Sequence, residues 1–172
     1  MFLNYLKDFS TKKLVKNNLS NVKHLASNNK IKTVGIIFDE SYFYEREDLV
    51  KELILKGIDE KNITILVYKD KLKKNEVFDY PIFSQKDLNW NCTIDKKEVK
   101  DFIIEPFDLL INYYDTEKVS LLLVSNLSKA SFKVGFASID KRLNHFMIDT
   151  NAENYKVFMT ELFKYLKILN KI

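Results

Sequence analysis

The stretch IKTVGIIFDE at residues 31–40 decides the reading of this chain. It is rich in β-branched residues, almost continuously apolar, and closed by two carboxylates, the pattern of a strand buried on both faces. Such a strand belongs to a parallel sheet covered by helices, so a helix and then another strand should follow it. Residues 41–56 meet the first expectation, with Tyr44, Leu49, Leu53 and Ile54 on one stripe and Gly57 placed for a left-handed C-cap. NITILVY at 62–68 meets the second, completing a strand–helix–strand unit.

Further along, lysine-rich turns, Pro81, Trp90 and Pro106 interrupt any period between residues 69 and 106. A short strand is predicted at Pro81-Ile82-Phe83 and irregular structure over 87–92. Regularity returns with FDLLINYYD at 107–115, a buried strand ending in Asp115. A helix over 117–130 follows, with Val119, Leu122, Leu123 and Leu127 inward, and then the strand FKVGF at 132–136. An edge strand at 146–148 precedes Thr150-Asn151-Ala152-Glu153, which reads as a capping box for a final helix reaching about residue 169. Tyr155, Phe158, Met159, Leu162 and Leu166 form the core face of that helix. The fold class is therefore α/β: a mostly parallel, Rossmann-like three-layer sheet of four to six strands, preceded by an N-terminal amphipathic helix.

Residues 2–25 carry Phe2, Leu6, Phe9, Leu14, Leu19, Val22 and Leu25 among lysines and asparagines. That spacing predicts a basic amphipathic helix, interrupted near Ser10-Thr11, and a polar linker follows at 27–30. The organisation is a helical arm over 1–28 and one α/β domain over 31–172. Residues 1–32 hold seven lysines against Asp8, a balance of +6, while the whole chain of 172 residues carries +4. The basic character thus belongs to the arm, although lysine is abundant throughout and arginine occurs only at Arg46 and Arg142.

Composition excludes several chemistries. With three glycines in the chain, neither a dinucleotide fingerprint nor a Walker loop can be built. Two histidines and the lone Cys92 are too few soft ligands for a structural zinc site, and no metal or cofactor is assigned. Ser125 and Ser128 lack the glycines of a nucleophile elbow. One cysteine permits no internal disulfide, and the N-terminus lacks the continuous apolar core of a signal peptide, so a cytoplasmic location is expected. No apolar run approaches the roughly 20 residues of a membrane span.

What remains lies at the carboxyl ends of the strands, where open parallel sheets bind ligands. Asp39, Glu40 and Ser41 end the first strand, and Asn112, Tyr114 and Asp115 end the fourth. Asp39 and Asp115 would face one cleft if their strands are neighbours, as a Mg²⁺ pair or as an acid and a base. Capping of the following helices is the alternative role for these residue types. His145, near Lys141, Arg142 and Asp149, is either a solvated loop residue or part of an anion site. Trp90 either anchors a partner or plugs one edge of the core. On the arm, Lys7, Lys12, Lys13, Lys16 and Lys23 are candidates for contact with an acidic partner, whether RNA, an anionic lipid surface or a protein.

In IKTVGIIFDE, FDLLINYYD and SLLLVSNLSKASFKVGFAS, ending at residue 138, the chain resembles a Bacteroidetes-type bacterial family that carries only a domain-of-unknown-function label. The likeness runs over most of the chain, including the basic first helix and the last helix. It implies a bacterial cytoplasmic α/β protein with no assigned activity. Over about 30 residues, FDLLI, a small-residue helix and KVGF are also similar to the N-terminal half of heptosyltransferase-type glycosyltransferases, a kinship of fold only, because a chain of this length has no room for their second lobe. The expectation that emerges is a non-catalytic binding or adaptor domain. The alternative is a small enzyme or nucleotide/sugar-binding domain using the strand-end carboxylates.

Overall fold

A computed structural model describes residues 11–19, 21–22, 30–41, 43–72 and 78–172. The predicted strands appear as β1 (Val34–Asp39), β2 (Ile63–Tyr68), β3 (Ile82–Phe83), β4 (Leu109–Tyr113), β5 (Phe132–Phe136) and β6 (Phe146–Ile148). They form one six-stranded sheet in the order β3-β2-β1-β4-β5-β6, with every adjacent pair parallel. The chain builds outward from β1 to β3, returns to the centre as β4 and builds outward on the other side. The direction reverses between β1 and β4, the place where Rossmann-like sheets open a crevice at their carboxyl edge.

Helices α2 (Arg46–Leu55) and α5 (Tyr155–Ile168) pack together in one layer, α3 (Lys97–Ile104) and α4 (Val119–Leu127) in the other. Strand alternation gives the two faces of the sheet different chemistry. Phe38, Phe43, Tyr113, Phe136 and Phe158 form an aromatic core on the α5 side, with ring centroids 4.7 to 5.9 Å apart. The α4 side carries a buried polar seam instead. There Tyr114 Oη lies 2.6 Å from Ser125 Oγ, Ser125 donates to Asn112 Oδ1 at 2.8 Å, and Asn112 Nδ2 donates to Asn144 Oδ1 at 2.8 Å. The seam ends on Asn144 Nδ2, which is buried with no hydrogen-bond partner among the described residues. Two glycines allow the close approaches on this face. A Cβ at Gly35 would fall 2.5 Å from the Phe107 ring, and one at Gly135 would fall 2.7 Å from Asn144 Nδ2.

Helix α4 is buried from Val119 through Ser125, which explains why its apolar run is continuous rather than striped. Gly57 sits at φ +95° beyond α2, and the Gly57 and Ile58 amides close the helix on Ile54 O and Leu53 O.

Several local expectations are corrected. The first helix, α1, covers residues 11–18 of the described chain, and residues 19, 21 and 22 are not helical. Its inward face is Thr11, Val15 and Leu19, whereas Leu14 is 48% exposed. This i, i+4, i+8 row includes a threonine, so an apolar-only pattern misses it. Residues 1–10 and 23–29 of the predicted arm lie outside the described residues. Tyr44 precedes α2 and is 77% exposed, and Leu127 also faces outward. Helix α3, which no periodicity announced, buries Val99 and Phe102 against its layer and stops ahead of Pro106. The capping box at 150–153 does not form. The Ala152 amide donates instead to Asp115 Oδ2 at 2.8 Å, and α5 starts after Asn154, which makes no side-chain cap.

Candidate functional site

The parallel register that sets Asp39 opposite Tyr68 brings the ends of β1 and β2 level, and the turn after β4 supplies the cation between them. Lys118, directly ahead of α4, sends its ammonium to Asp39 Oδ2 at 2.6 Å, Asp70 Oδ2 at 2.9 Å and Ser41 Oγ at 2.9 Å. It also lies 4.8 Å from the centre of the Tyr68 ring. The second oxygen of Asp39 accepts the Ser41 amide at 2.9 Å, and Ser41 Oγ accepts the Asp70 amide at 3.1 Å. Burial alone would raise the Asp70 carboxyl, but hydrogen bonds and charge from Lys118 outweigh it and hold the group below its ordinary value. Burial, reinforced by the Asp70 charge, pushes the Tyr68 phenol far up, so it stays protonated. Asp39 therefore serves a turn and an ion pair rather than capping α2.

Glu40 is buried beside this network and has partners of its own. It pairs with Arg46, accepts from Tyr80 Oη at 3.2 Å and lies 3.6 Å from Lys69 Nζ. The Arg46 guanidinium covers the Tyr80 ring at 3.7 Å. Asp39, Glu40 and Ser41 are thus brought together at the carboxyl rim. Asn112 and Tyr114 are drawn into the interior seam. Asp115 is tied to the start of α5 through the Ala152 amide, and its carbonyl accepts from Ser138 Oγ at 2.8 Å. Asp39 ends β1 and Asp115 lies two residues past the neighbouring β4, and their partners are separate. Sequence reasoning missed Lys118, Asp70 and Arg46, although the first directly precedes a helix and the second lies two residues past a strand. No group of three or more His, Cys, Asp or Glu side chains among the described residues is arranged to hold a metal ion, and no described helix is long and apolar enough to cross a membrane.

Of the arm lysines, Lys16 and Lys12 approach Glu117 Oε2 at 2.6 and 3.5 Å, and Lys13 is exposed. Lys7 and Lys23 lie outside the described residues. Burial of Val15 and Leu19 docks α1 on the domain, and the Val22 amide donates to Arg142 O at 3.0 Å. Arg142 grips Asp140 through two hydrogen bonds of 2.9 and 2.6 Å, which hold the Asp140 carboxyl down at about 2.

Trp90 does not plug the core. It is 83% exposed, on a turn held by the Leu88–Ile94 bridge and by Asn89 Nδ2 donating to Asp95 Oδ2 at 2.8 Å. Cys92 in the same turn has φ +60°, and burial raises its thiol, which makes it a poor nucleophile. His145 stacks on Phe132 at 5.3 Å, and its Nδ1 accepts the Lys133 amide at 2.9 Å.

A model of a family described as a family of unknown function (DUF6913) matches residues 7–169. No curated protein and no solved structure matches the chain.

Proposed function

Since the chain belongs to DUF6913, a family of unknown function, its role is read from its own residues, and we propose a non-catalytic binding or adaptor domain that engages an acidic partner through its basic N-terminal segment. One observation carries the reading: the rim carboxylates are consumed by internal partners, Asp39 by Lys118 and the Ser41 amide, Glu40 by Arg46 and Tyr80, Asp115 by the Ala152 amide. A general base must reach the proton it abstracts, and these groups already hold donors. The balance of +6 over residues 1–32 supports attraction of an acidic surface by Lys7, Lys12, Lys13, Lys16 and Lys23. Docking of α1 through Val15 and Leu19 supports a fixed presentation of the middle three. A single cysteine is in keeping with action in a reducing bacterial cytoplasm.

Fluorescence anisotropy with single-stranded RNA, and sedimentation with anionic vesicles, test this in the full chain. Reversal of Lys7, Lys13 and Lys23 to glutamate, which leaves the Glu117 pairs in place, should weaken binding to the responsive probe by at least about tenfold. Equal affinity of the reversed and unaltered chains would end the reading.

The strand order supports a second reading, a nucleotide or sugar ligand at the β1–β4 reversal beside Asp39 and Asp115. It requires a nucleotide, sugar phosphate or Mg²⁺ to raise the melting temperature, and Asp39→Asn or Asp115→Asn to remove that rise. A flat response across such a panel would dismiss it.

A further inference from the structure

At the opposite, amino edge of β5 lies a cavity of about 340 Å³ whose walls come from four separate parts of the chain. Asn21 and Val22 follow α1, Asn126 lies at the end of α4 with Ser128, Lys129 and Ala130 just beyond it, Lys133 is the second residue of β5, and Arg142, Leu143 and His145 surround the turn into β6. Among the described residues the wall contains Lys129, Lys133, Arg142 and His145 but no aspartate or glutamate. A volume of this size is within the usual range for a small-molecule site.

Lys133 is the unusual member. Its side chain is 95% removed from solvent, at 5% exposure, and faces the α4 side of the sheet, where Leu110 is its neighbour. A buried ammonium is normally matched by a carboxylate. Here the amine donates to two carbonyls at the end of α4, Ser125 O at 2.7 Å and Asn126 O at 3.5 Å. An ammonium has three donors, so one N–H remains beyond those two bonds. Lys129 adds a second, exposed ammonium to the wall. Asp140 balances the Arg142 guanidinium through its Nε and Nη2 groups, so the positive charge in the wall not matched by a carboxylate among the described residues is carried by the two lysines. Lysine ammonium groups bind phosphate oxygens as point charges, without the fixed plane that a guanidinium fork imposes.

We infer that this cavity is a binding site for a small phosphate-bearing molecule, a phosphomonoester dianion held by the ammonium groups of Lys133 and Lys129 and seated between the end of α4 and the loop before β6. The dianion would balance the two lysines and supply the missing acceptor for the buried one. Burial, with the neighbouring Lys129 charge, lowers Lys133 to about 8, so the site weakens as pH rises past that value. Among the described residues the other groups facing it are Lys129, Arg142 with its Asp140, and His145, whose Nδ1 is occupied by the Lys133 amide. The site is remote from the carboxyl rim and does not depend on the macromolecular partner proposed above.

The test titrates the full chain at pH 7.5 with inorganic phosphate and with ribose 5-phosphate, against potassium chloride of equal ionic strength and against ribose. Imidazole signals of His145, assigned by their loss in His145→Gln, report occupancy. Both phosphates should shift those signals with saturation below about 10 mM. Lys129→Ala, at an exposed position, should weaken binding by about tenfold, the loss of one charge-assisted hydrogen bond, and Lys133→Met should abolish it. The inference is overturned if chloride or ribose moves the signals equally, if neither phosphate moves them, or if Lys129→Ala binds as tightly as the unaltered chain.

Discussion

At position 133 a lysine occupies a strand site where an apolar residue would bury no charge, and it covers carbonyls of α4 that have no partner within the helix. A cation there is favoured by the helix dipole, yet burial lowers its pKa from 10.5 to about 8. The unfolded chain therefore binds more protons than the folded one between those values. The resulting penalty, about 3 kcal/mol, is complete below pH 8 and is relieved as pH rises towards the unfolded value. Urea denaturation should show stability climbing from pH 7.5 to about 9.5, and Lys133→Met should be both more stable at pH 7.5 and flat across that interval. Above about pH 10 the tyrosines reverse the trend, because burial raises Tyr68, Tyr113 and Tyr114 in the folded state only. Parallel curves for the two chains would refute this account of Lys133. Gly135 tests the same face by size. In Gly135→Ala the new methyl meets Asn144 Nδ2, and overpacking should cost about 1–3 kcal/mol. An Asn144→Ala background should remove most of that cost if the contact is its cause.

Among the elements, α1 is attached through a short row of side chains. Val15 and Leu19 reach the core, and Glu117 gathers Lys12 and Lys16 at the surface, where ion pairs contribute little. Leu19→Ala should therefore lower stability by about 2 kcal/mol, the low end for a buried leucine because the site is peripheral. Limited proteolysis should then cut near residue 20 sooner than in the unaltered chain, and an unchanged urea midpoint and cleavage rate would contradict the docking. The strands were legible in sequence because burial on both faces leaves runs such as VGIIFD and LLINY with no polar alternation to misread. Helix α3 was not, since Lys96 gives it no side-chain cap and eight residues bury only two. The failed capping box has a non-local cause: Asp115, 37 positions away, takes the Ala152 amide. The rim follows the same division. Asp39, Glu40 and Ser41 stand out as polar residues after an apolar strand, while Lys118 and Asp70 become their partners only once β1, β2 and β4 are in register.

For the whole molecule, charge separates into two regimes. The rim carboxylates are enclosed in networks with Lys118, Arg46 and Lys69, whereas the first 32 residues keep a strong positive balance. Under the proposed function the N-terminal segment attracts polyanions, while the strand-end acids hold the sheet and helices together. The dependence of single-stranded RNA affinity on salt measures this directly. In the unaltered chain the logarithm of the association constant should fall linearly with the logarithm of salt concentration, and reversing Lys7, Lys13 and Lys23 should reduce that slope by about 2. A slope near zero in the unaltered chain, or the same slope in both, would contradict the account.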